Sequence, residues 1–379
     1  MTPVSLRIRK WLTDVCLPLW ASIGVDGEQG GFVERLTLAG LPDLTAPKRV
    51  RVQARQIYVF SHAKLLGLMP DGDVVARTGY DFVVAHGFPD GIKHGVVHAL
   101  ARDGAVLDPK RDTYDHAFLL FALSWYYRAT GERDVLTKII QLGDTISATL
   151  RHPNRNGFVV DSNNLTEFHQ NPHMHLFEAV LAAYDATGQS VFLDRAREIF
   201  DIFLTGMFDH TAGVLREFYD TGWRPAAGAA GDYVEPGHHC EWIWLLRWYA
   251  DRMGEPLCDA ARRLYDFVER HGRPAGILLC DEVWIDGRVK KASTRCWPQT
   301  EAIKAELALA GSAVPVPTAV SRIAAITDAV FATFLDRPVI GAWTDWVDAA
   351  GRPMVQSIPA SSLYHLFLAF SEVLERSPT

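Results

Sequence analysis

The sequence predicts an all-α fold in which about twelve helices pair as hairpins and close into an (α/α)6 barrel, with short β-hairpin inserts. Apolar residues recur at helical spacing along most of the 379 residues. A glycine follows several of the predicted helices, and the hairpin unit recurs about six times with a period of roughly 57 to 66 residues. A helical pair repeated at such a period is typical of a closed or stacked array.

Helical periodicity defines the elements in order along the chain. The predicted spans are 3–21, 51–68, 73–87, 113–130, 133–150, 172–187, 190–205, 237–253, 256–271, 297–310, 317–335 and 360–375. The even-numbered helices are the more apolar and aromatic, as residues 117–123 and 176–183 illustrate. Because helices that are apolar nearly all round belong in an inner layer, we expect the even-numbered helices to form the inner ring.

Glycines mark both ends of the predicted hairpins. Gly131, Gly188 and Gly254 each follow an inner helix and are natural left-handed helix caps. At the opposite end the chain makes short extended pieces that begin near a glycine, at 30–33, 91–97, 156–160, 213–216 and 276–279. We therefore expect the inserts, and the longer loops, at the end where the inner helices begin.

The composition bounds the class of protein. The chain is 48% hydrophobic and 22% charged, with a net charge of −7 and a pI near 6.1. Without a linker or low-complexity segment, it is expected to form one catalytic domain over residues 1–379. The acidic balance disfavours nucleic acid as a partner, and no stretch approaches the apolar length of a membrane span. The N-terminal sequence lacks the pattern of a secretion signal, so we expect a cytoplasmic protein. A monomer or homodimer is the default expectation, because the sequence does not specify the oligomeric state.

Cofactor and metal motifs are also missing from the sequence. No glycine-rich phosphate or dinucleotide loop follows a predicted strand, and there is no Gly-x-Ser-x-Gly elbow, so no cofactor is expected. His94 and His98 are spaced like metal ligands but have no evident third partner. His169, His173 and His175 could bind a metal, yet capping and substrate contact are simpler for histidines around a helix start. The five cysteines are scattered and odd in number, which indicates reduced thiols.

Polar side chains recur where the predicted inner helices begin. His238 and Glu241 lie three apart on one helical face, where a carboxylate can hold a general base. Each polar group alone has an ordinary structural explanation, such as a cap or a satisfied core residue. Together they predict one site, because inner helices of a barrel begin at the same end. The groups are Gln53, Arg55, Tyr114, Asp115, His116, Asn171, His173, His175, His238, Glu241, Trp297, Gln299, Glu301, Tyr364 and His365.

These segments resemble the N-acylglucosamine 2-epimerase superfamily of (α/α)6 barrels over nearly the whole chain. Six motifs occur in the order found in that family. They are Val52-Gln53-Ala54-Arg55, Thr113-Tyr114-Asp115-His116-Ala117-Phe118, Asn171-Pro172-His173-Met174-His175-Leu176-Phe177-Glu178, Gly237-His238-His239-Cys240-Glu241-Trp242, Trp297-Pro298-Gln299-Thr300-Glu301 and Leu363-Tyr364-His365.

The resemblance implies an enzyme that interconverts sugars and uses two catalytic histidines, which correspond to His238 and His365. It further implies that the remaining matched positions contact or orient the sugar. These positions are Arg55, Tyr114, Asn171, His175, Glu241, Trp297 and Glu301. The Cys296-Trp297-Pro298 segment resembles the mannose isomerase and sulfoquinovose isomerase branch more than the cellobiose 2-epimerases, which carry paired tryptophans there.

The branch implies aldose–ketose isomerisation of a free hexose such as D-mannose, through a cis-enediol. We expect His365 to move the proton between C2 and C1, and His238, held by Glu241, to assist ring opening or to act as the opposite acid/base. Arg216 and Arg224 keep an anionic sugar possible. The alternatives are a sugar 2-epimerase, a glycoside hydrolase that uses Glu241 and Glu301 as its two carboxylates, and a non-catalytic sugar-binding protein.

Overall fold

The computed structural model describes residues 2–376, and the rest of the predicted domain, Met1 and residues 377–379, lies outside the described residues. The chain forms two compact units. The N-terminal unit consists of Leu12–Ile199 and Ser357–Tyr364. The C-terminal unit consists of the chain up to Trp11, Phe200–Gln356 and the chain from His365 onward. The single-domain organisation stays a prediction.

Within residues 2–376 there are thirteen α-helical segments. They are α1 (Pro3–Trp11), α2 (Leu17–Ser22), α3 (Val50–Leu65), α4 (Gly72–His86), α5 (Thr113–Thr130), α6 (Arg133–Thr149), α7 (Gln170–Thr187), α8 (Ser190–Ile202), α9 (Pro236–Met253), α10 (Asp259–His271), α11 (Cys296–Leu309), α12 (Val316–Val330) and α13 (Ser362–Arg376). A π-helical turn at Leu12–Cys16 connects α1 to α2, so these segments correspond to the twelve predicted helices.

The strands are short and antiparallel. They are β1 (Arg35–Thr37), β2 (Lys48–Arg49), β3 (Ala99–Leu100), β4 (Val106–Asp108), β5 (Glu167–His169), β6 (Phe208–Asp209), β7 (Val214–Leu215), β8 (Phe218–Asp220), β9 (Tyr233–Val234), β10 (Glu282–Trp284), β11 (Val289–Lys291), β12 (Thr294–Arg295), β13 (Trp346–Val347) and β14 (Ser357–Pro359). In the N-terminal unit β1 pairs with β14, and β3 lies between β2 and β4. In the C-terminal unit β10 lies between β9 and β11, while β6 pairs with β7 and β12 with β13.

Each unit is built from packed helical hairpins. In the N-terminal unit α5 packs between α3 and α7, and α4 and α6 pack on their own hairpin partners. In the C-terminal unit α9 packs against both α10 and α11, and α12 packs on α11. Residues 115–126 of α5 are all buried, whichever side of the helix they lie on. This confirms the prediction, made from its apolar sequence, that α5 is a core helix. The caps at Gly131, Gly188 and Gly254 are left-handed as predicted, with φ of 71°, 68° and 68°.

Several predicted segments differ in detail, and the extended piece expected at 276–279 forms no strand or bridge. The helices predicted to end at 205 and 335 leave α-helical geometry earlier and finish as π-helical turns, at Phe203–Met207 and Phe331–Leu335. The strand expected at 91–97 is absent, and Ile92–His94 forms a 3-10 turn instead. Gly91 and Gly95 flank that turn with φ of 84° and 83°, a backbone geometry that ends an extended strand on both sides.

One further expectation needs correction. The segment Val316–Leu335, which comprises α12 and its π-helical turn, is long and apolar enough to cross a membrane by length and composition alone. An 18-residue stretch of this segment has a mean hydropathy of 1.4, and 44% of that stretch is buried. The expectation that no segment approaches the apolar length of a membrane span is therefore wrong for this helix, whose only charged side chains are Arg322 and Asp328.

Candidate active site

His238 lies in the first turn of α9, which begins at Pro236, a residue well suited to a helix start. The imidazole is 6% exposed, and its Nδ1 lies 2.9 Å from Oε2 of Glu217. Glu217 belongs to the short connection between β7 and β8. The expectation that Glu241 holds His238 is therefore wrong. The carboxylate hydrogen-bonded to His238 is that of Glu217, which comes from an insert rather than from the next turn of the same helix.

Negative charge surrounds the His238 ring. Burial lowers the pKa of His238, but the carboxylates of Glu217 and Glu235 outweigh burial and raise the pKa to about 9. Glu235 lies close to both Glu217 and His238, with one ligand atom of each residue within 4.8 Å of the others. Burial raises the pKa of Glu235. Arg295 balances part of the charge, since its guanidinium lies 3.5 Å from Glu235 and 3.2 Å from Asp281. At neutral pH His238 is therefore an imidazolium that can donate a proton.

His365 has its own carboxylate. It lies in the first turn of α13, is 7% exposed, and has its Nδ1 2.8 Å from Oε1 of Glu301 on α11. Glu301 is fully buried, and its other oxygen lies 2.6 Å from the ammonium of Lys304 one helical turn later. With Nδ1 engaged by Glu301, the ring is oriented so that Nε2 can exchange a proton with a substrate.

Trp297 packs against both histidines. The centre of its ring system lies 4.9 Å from that of His238 and 5.5 Å from that of His365, with interplanar angles of 36° and 38°. Gly237 permits this approach, because a Cβ at that position would lie 2.7 Å from the indole. The structure thus brings the two predicted catalytic histidines to one aromatic side chain within the C-terminal unit.

Glu241 completes this group. Its carboxylate is 1% exposed, and ligand atoms of Glu241, Glu301 and His365 lie within 4.8 Å of one another. Such a group could hold a metal ion by its spacing, but the Lys304 ammonium already pairs with Glu301. The absence of a metal stays a prediction. Five of the nine predicted site residues therefore lie together: His238, Glu241, Trp297, Glu301 and His365.

Three of the other four predicted residues lie together in the N-terminal unit. A terminal nitrogen of Arg55 donates to the Tyr114 hydroxyl at 2.8 Å, and the guanidinium lies 4.2 Å from the Phe118 ring centre. The Tyr114 and His175 rings meet edge to face, with their centres 5.0 Å apart. Asn171 lies in the first turn of α7, where its buried Oδ1 has no hydrogen-bond partner among residues 2–376.

His175 is a third histidine with a carboxylate, and the sequence reasoning missed this partner. Its Nδ1 lies 3.1 Å from Glu178, which also accepts a hydrogen bond from the Tyr364 hydroxyl. Glu178 is 1% exposed. It stands three residues after His175 within the matched motif, so helical spacing was the signal that could have found it.

Other polar groups expected in the site hold loops instead. The side chain of Gln53 accepts the Phe32 N–H at 2.7 Å, and Gln299 accepts the Leu279 N–H at 2.7 Å. Three histidines occupy the corresponding helix starts and contact loop backbone through Nε2: His116 at Val96, His173 at Phe158 and His239 at Leu215, with nitrogen–nitrogen distances of 3.0, 2.9 and 3.1 Å. We call these five side chains the loop anchors. The prediction that Gln53, His116, His173 and Gln299 face a substrate is therefore replaced by a structural role.

The loop anchors explain the glycines of the inserts. A Cβ on Gly95 would lie 2.3 Å from Nε2 of His116, and one on Gly31 would lie 2.8 Å from Oε1 of Gln53. Burial lowers the pKa of His116, and it lowers the pKa of His173 and of His239 to about 4. These rings are therefore neutral at neutral pH, the form in which Nε2 can accept a backbone N–H. In His239 the same Nε2 also lies 3.0 Å from the carbonyl oxygen of Leu215, to which the other tautomer can donate.

Asp115 and His98 also belong to a structural cluster. His98 Nδ1 lies 2.7 Å from Asp115 and 3.2 Å from Asp112, and Arg51 binds Asp115 at 2.6 Å. Asp112 and Asp115 accept hydrogen bonds from His98, which raises the pKa of His98 to about 9. The two carboxylates thus pair with an arginine and an imidazolium. His98, Asp112 and Asp115 also have the spacing of a metal-binding group, and the absence of a metal there stays a prediction.

Solved structures show the fold. The structure of cellobiose 2-epimerase from Bacillus thermoamylovorans B4167 superposes with a TM-score of 0.90, 22% sequence identity and full coverage of both chains. A crystal structure of D-mannose isomerase gives a TM-score of 0.86 at 21% identity, again over both whole chains. At this identity the likeness shows the fold alone. It confirms the predicted all-α (α/α)6 barrel class with short strands.

Sequence comparison shows the family. The family model described as N-acylglucosamine 2-epimerase matches residues 30–369. The mannose-6-phosphate isomerase of Rhizobium meliloti (strain 1021) is 35% identical over 373 residues, 96% of this chain and 95% of that protein. A cellobiose 2-epimerase of Ruminococcus albus is 29% identical over 266 residues, 66% of each chain. The chain therefore belongs to the N-acylglucosamine 2-epimerase family and is a sugar isomerase or 2-epimerase.

Proposed function

We propose that this protein is an aldose–ketose isomerase that interconverts D-mannose and D-fructose by histidine-mediated proton transfer. The observation that carries the proposal is the pair of histidines against Trp297, each with its Nδ1 fixed by a carboxylate. A fixed Nδ1 presents Nε2 for proton exchange, and imidazole titrates near neutral pH. The Rhizobium meliloti relative is a mannose-6-phosphate isomerase by name, which supports isomerisation of a mannose-type sugar.

The two histidines divide the chemistry by their charge. His238 carries a proton at neutral pH, so it acts first as an acid that protonates the ring oxygen. The bond between C1 and the ring oxygen breaks as the anomeric hydroxyl releases its proton to solvent, which opens the sugar ring. His365 then removes the C2 proton of the open aldose, the electron pair of that C–H bond forms the C1–C2 double bond, and the carbonyl electrons move onto O1 to give the cis-enediolate. The O2 proton is transferred to O1, the C2 carbonyl forms at O2, and His365 returns its proton to C1, which yields the ketose.

Sugar contacts are assigned on the family resemblance. We assign Trp297 and Tyr114 to the C–H face of the sugar, and Arg55 and His175 to the oxygen that gains charge in the enediolate. Donors aimed at such an oxygen commonly contribute about 10²-fold or more each. Asn171, with its buried amide oxygen, and Glu241 are assigned to sugar hydroxyl groups. The reaction moves only protons, so it requires no redox cofactor.

Charge pairing favours a neutral sugar. The arginines that kept an anionic substrate possible are both committed to carboxylates, Arg216 to Asp209 and Arg224 to Asp220, each at 2.7 Å. Lys304 is likewise paired. We therefore propose the free hexose. The comparison of kcat/KM for D-mannose and D-mannose 6-phosphate tests this choice, and a preference for the phosphate would overturn it.

The second candidate is a 2-epimerase. The protonated state of His238 favours it, because an imidazolium could return a proton to C2 from a face different from that of His365. The relative from Ruminococcus albus carries the name of such an enzyme. The two reactions share the deprotonation at C2 and differ in where the proton returns.

Product analysis in D₂O separates the candidates. The protein, freed of metals with a chelator, is incubated with D-mannose and followed by NMR. Fructose with deuterium at C1 is the expected product, and glucose with deuterium at C2 in the absence of fructose would establish the epimerase. If D-mannose yields neither fructose nor glucose, both assignments are overturned. Glycoside hydrolysis that survives His238→Ala would overturn them as well.

A further inference from the structure

Lys304 is a fully buried cation next to the candidate active site. It lies on α11 with 0% exposure, its Nζ is 2.6 Å from Oε2 of Glu301, and it lies 4.1 Å from the centre of the Trp244 ring. Removal of an ammonium from water costs several kcal/mol unless good partners compensate. A buried apolar residue of similar length would avoid that cost, so the charge calls for an explanation.

The partner of Lys304 leads directly to His365. One oxygen of Glu301 faces the ammonium and the other lies 2.8 Å from Nδ1 of His365. Ammonium, carboxylate and imidazole thus form a continuous chain of contacts. We propose that Lys304 is a positioning residue that acts through Glu301 to keep His365 in the tautomer with the proton on Nδ1. This inference rests on the proposed function for its catalytic meaning.

The tautomer decides whether His365 can serve as a base. When Glu301 is ionised it accepts the Nδ1 proton, and Nε2 carries the lone pair that can take the C2 proton. If Glu301 were protonated, its O–H would donate to Nδ1 and the neutral ring would carry its proton on Nε2. The ring would then have no lone pair for the substrate.

The neighbouring carboxylate of Glu241 favours protonation of Glu301. The Glu241 carboxylate is buried within 4.8 Å of the same group of atoms. Two carboxylates withdrawn from water at this spacing favour sharing a proton. The Lys304 ammonium opposes this because it stabilises the ionised form of the carboxylate it contacts. Because Lys304 lies beside Glu301 rather than Glu241, Glu301 is the carboxylate that stays ionised. The hydrogen bond then runs from Nδ1–H of His365 to Glu301.

The chain contains a matched control. Lys48 is also buried, at 2% exposure, and its Nζ lies 3.0 Å from Asp26, 2.6 Å from the Gly30 carbonyl and 2.9 Å from the Arg102 carbonyl. Arg102 is the other cation bound to Asp26. This ion pair connects loop segments and is bonded to no imidazole among the described contacts. Lys48→Met therefore measures the cost of removing the cation from a buried ion pair that is not connected to a histidine.

The test reads the His365 tautomer directly in the full-length protein. Histidine is labelled with ¹⁵N, and the ring signals of His365 are identified by their loss in His365→Asn. We expect the Nδ1–H tautomer in the wild type and the Nε2–H tautomer in Lys304→Met. With D-mannose, kcat of Lys304→Met should fall about 10- to 100-fold with little change in KM, as for other residues that orient a working histidine. Lys304→Arg should retain the wild-type tautomer, and so should Lys48→Met.

The outcomes are separable. An unchanged His365 tautomer in folded Lys304→Met would overturn the inference. If that variant does not fold, Glu301→Gln and Glu301→Gln/Lys304→Met are compared, and equal kcat values are expected because Lys304 acts through Glu301. A further loss in the double variant would contradict the proposal. The tautomer measurement requires no substrate, so it decides the role of Lys304 even if no hexose is converted.

Discussion

His238 and His239 are neighbours in the chain, and both are almost fully buried at the start of α9, yet they differ by about five pKa units. The pKa of His238 is raised to about 9, mainly because Glu217 and Glu235 outweigh the effect of burial. The pKa of His239 is lowered to about 4 by burial, with only a backbone contact in compensation. The partner of the ring, rather than its depth, therefore decides whether a buried histidine is charged.

This contrast extends to two sets of histidines. His238 and His365 have Nδ1 fixed by a carboxylate, whereas His116, His173 and His239 contact loop backbone. Glutamine takes the place of histidine in the other two loop anchors, Gln53 and Gln299. A side chain that only holds backbone needs no titratable group. The comparison therefore predicts that histidine-to-glutamine substitutions will separate the two sets.

The largest expected effect is on turnover in His365→Gln. Loss of a general base lowers kcat by about 10²- to 10⁴-fold, and glutamine cannot exchange a proton at neutral pH. The measurement is the initial rate of fructose formation from D-mannose, with folding checked by circular dichroism. The matched control is His173→Gln, which should keep the wild-type kcat. Equal losses in the two variants would remove the distinction between the sets.

The next effect concerns the charge of His238. Because the proposed ring opening uses protonated His238, kcat should decline as the pH rises through about 9. Glu217→Gln removes the carboxylate that contributes most to the raised pKa, so the decline should move to lower pH and kcat at neutral pH should fall about 10-fold or more. Profiles of kcat against pH check this. Glu235→Gln should shift the decline in the same direction by less, and a profile unaffected by either change would exclude His238 as the acid.

A smaller effect is expected on stability. His173→Ala leaves the buried N–H of Phe158 without its acceptor, which should lower the free energy of unfolding by about 1–3 kcal/mol. His173→Gln should lose less, since a glutamine amide oxygen can accept the same N–H, as Gln53 does at Phe32. Urea unfolding measures both variants. If alanine is as stable as glutamine, the loop contact contributes nothing.

The smallest effect, counted per pH unit, is the pH dependence of that stability. His173 has a pKa of about 4 when folded and about 6.5 when unfolded, so its contribution is present above pH 6.5 and is lost as the pH falls towards 4. His238 has the opposite sign, and its contribution is present below pH 6.5 and lost as the pH rises through about 9. Unfolding free energies between about pH 4 and 6.5 should fall less steeply in His173→Gln, by at most about 1.4 kcal/mol per pH unit. An unchanged slope would contradict the neutral state of His173.

Most of the fold could be predicted because it follows from local patterns. Helix α5 begins and ends at the predicted residues 113 and 130, since an apolar run ends in a left-handed cap at Gly131. The π-helical turns at Phe203–Met207 and Phe331–Leu335 could not be predicted, because a change of hydrogen-bond register leaves the apolar spacing nearly intact. The paired glycines around Ile92–His94 did carry a signal against a strand.

The candidate site was predictable in its residue types but not in its pairings. Helical spacing suggested Glu241 as the partner of His238, whereas the bonded Glu217 lies 21 residues earlier in the chain, on an insert. A contact over that distance depends on how β7 and β8 fold back, which no local pattern specifies. The role proposed for Lys304 could not be predicted from local pattern either. It depends on Glu301 contacting both Lys304 and His365, and His365 lies on another helix.

The loop anchors have a consequence for how such a protein can change. They contact main-chain atoms of the inserts, so they place no demand on the side chain that each loop residue carries. Mutations can therefore accumulate in the inserts, or be introduced there in a library, while the backbone remains tied to the helices. Gly31 and Gly95 are exceptions, because a side chain would collide with the anchor itself. Glu217 is a further exception, because it lies in an insert and its carboxylate holds Nδ1 of His238. At the other insert positions, new substrate preferences could be selected without disturbing His238 and His365.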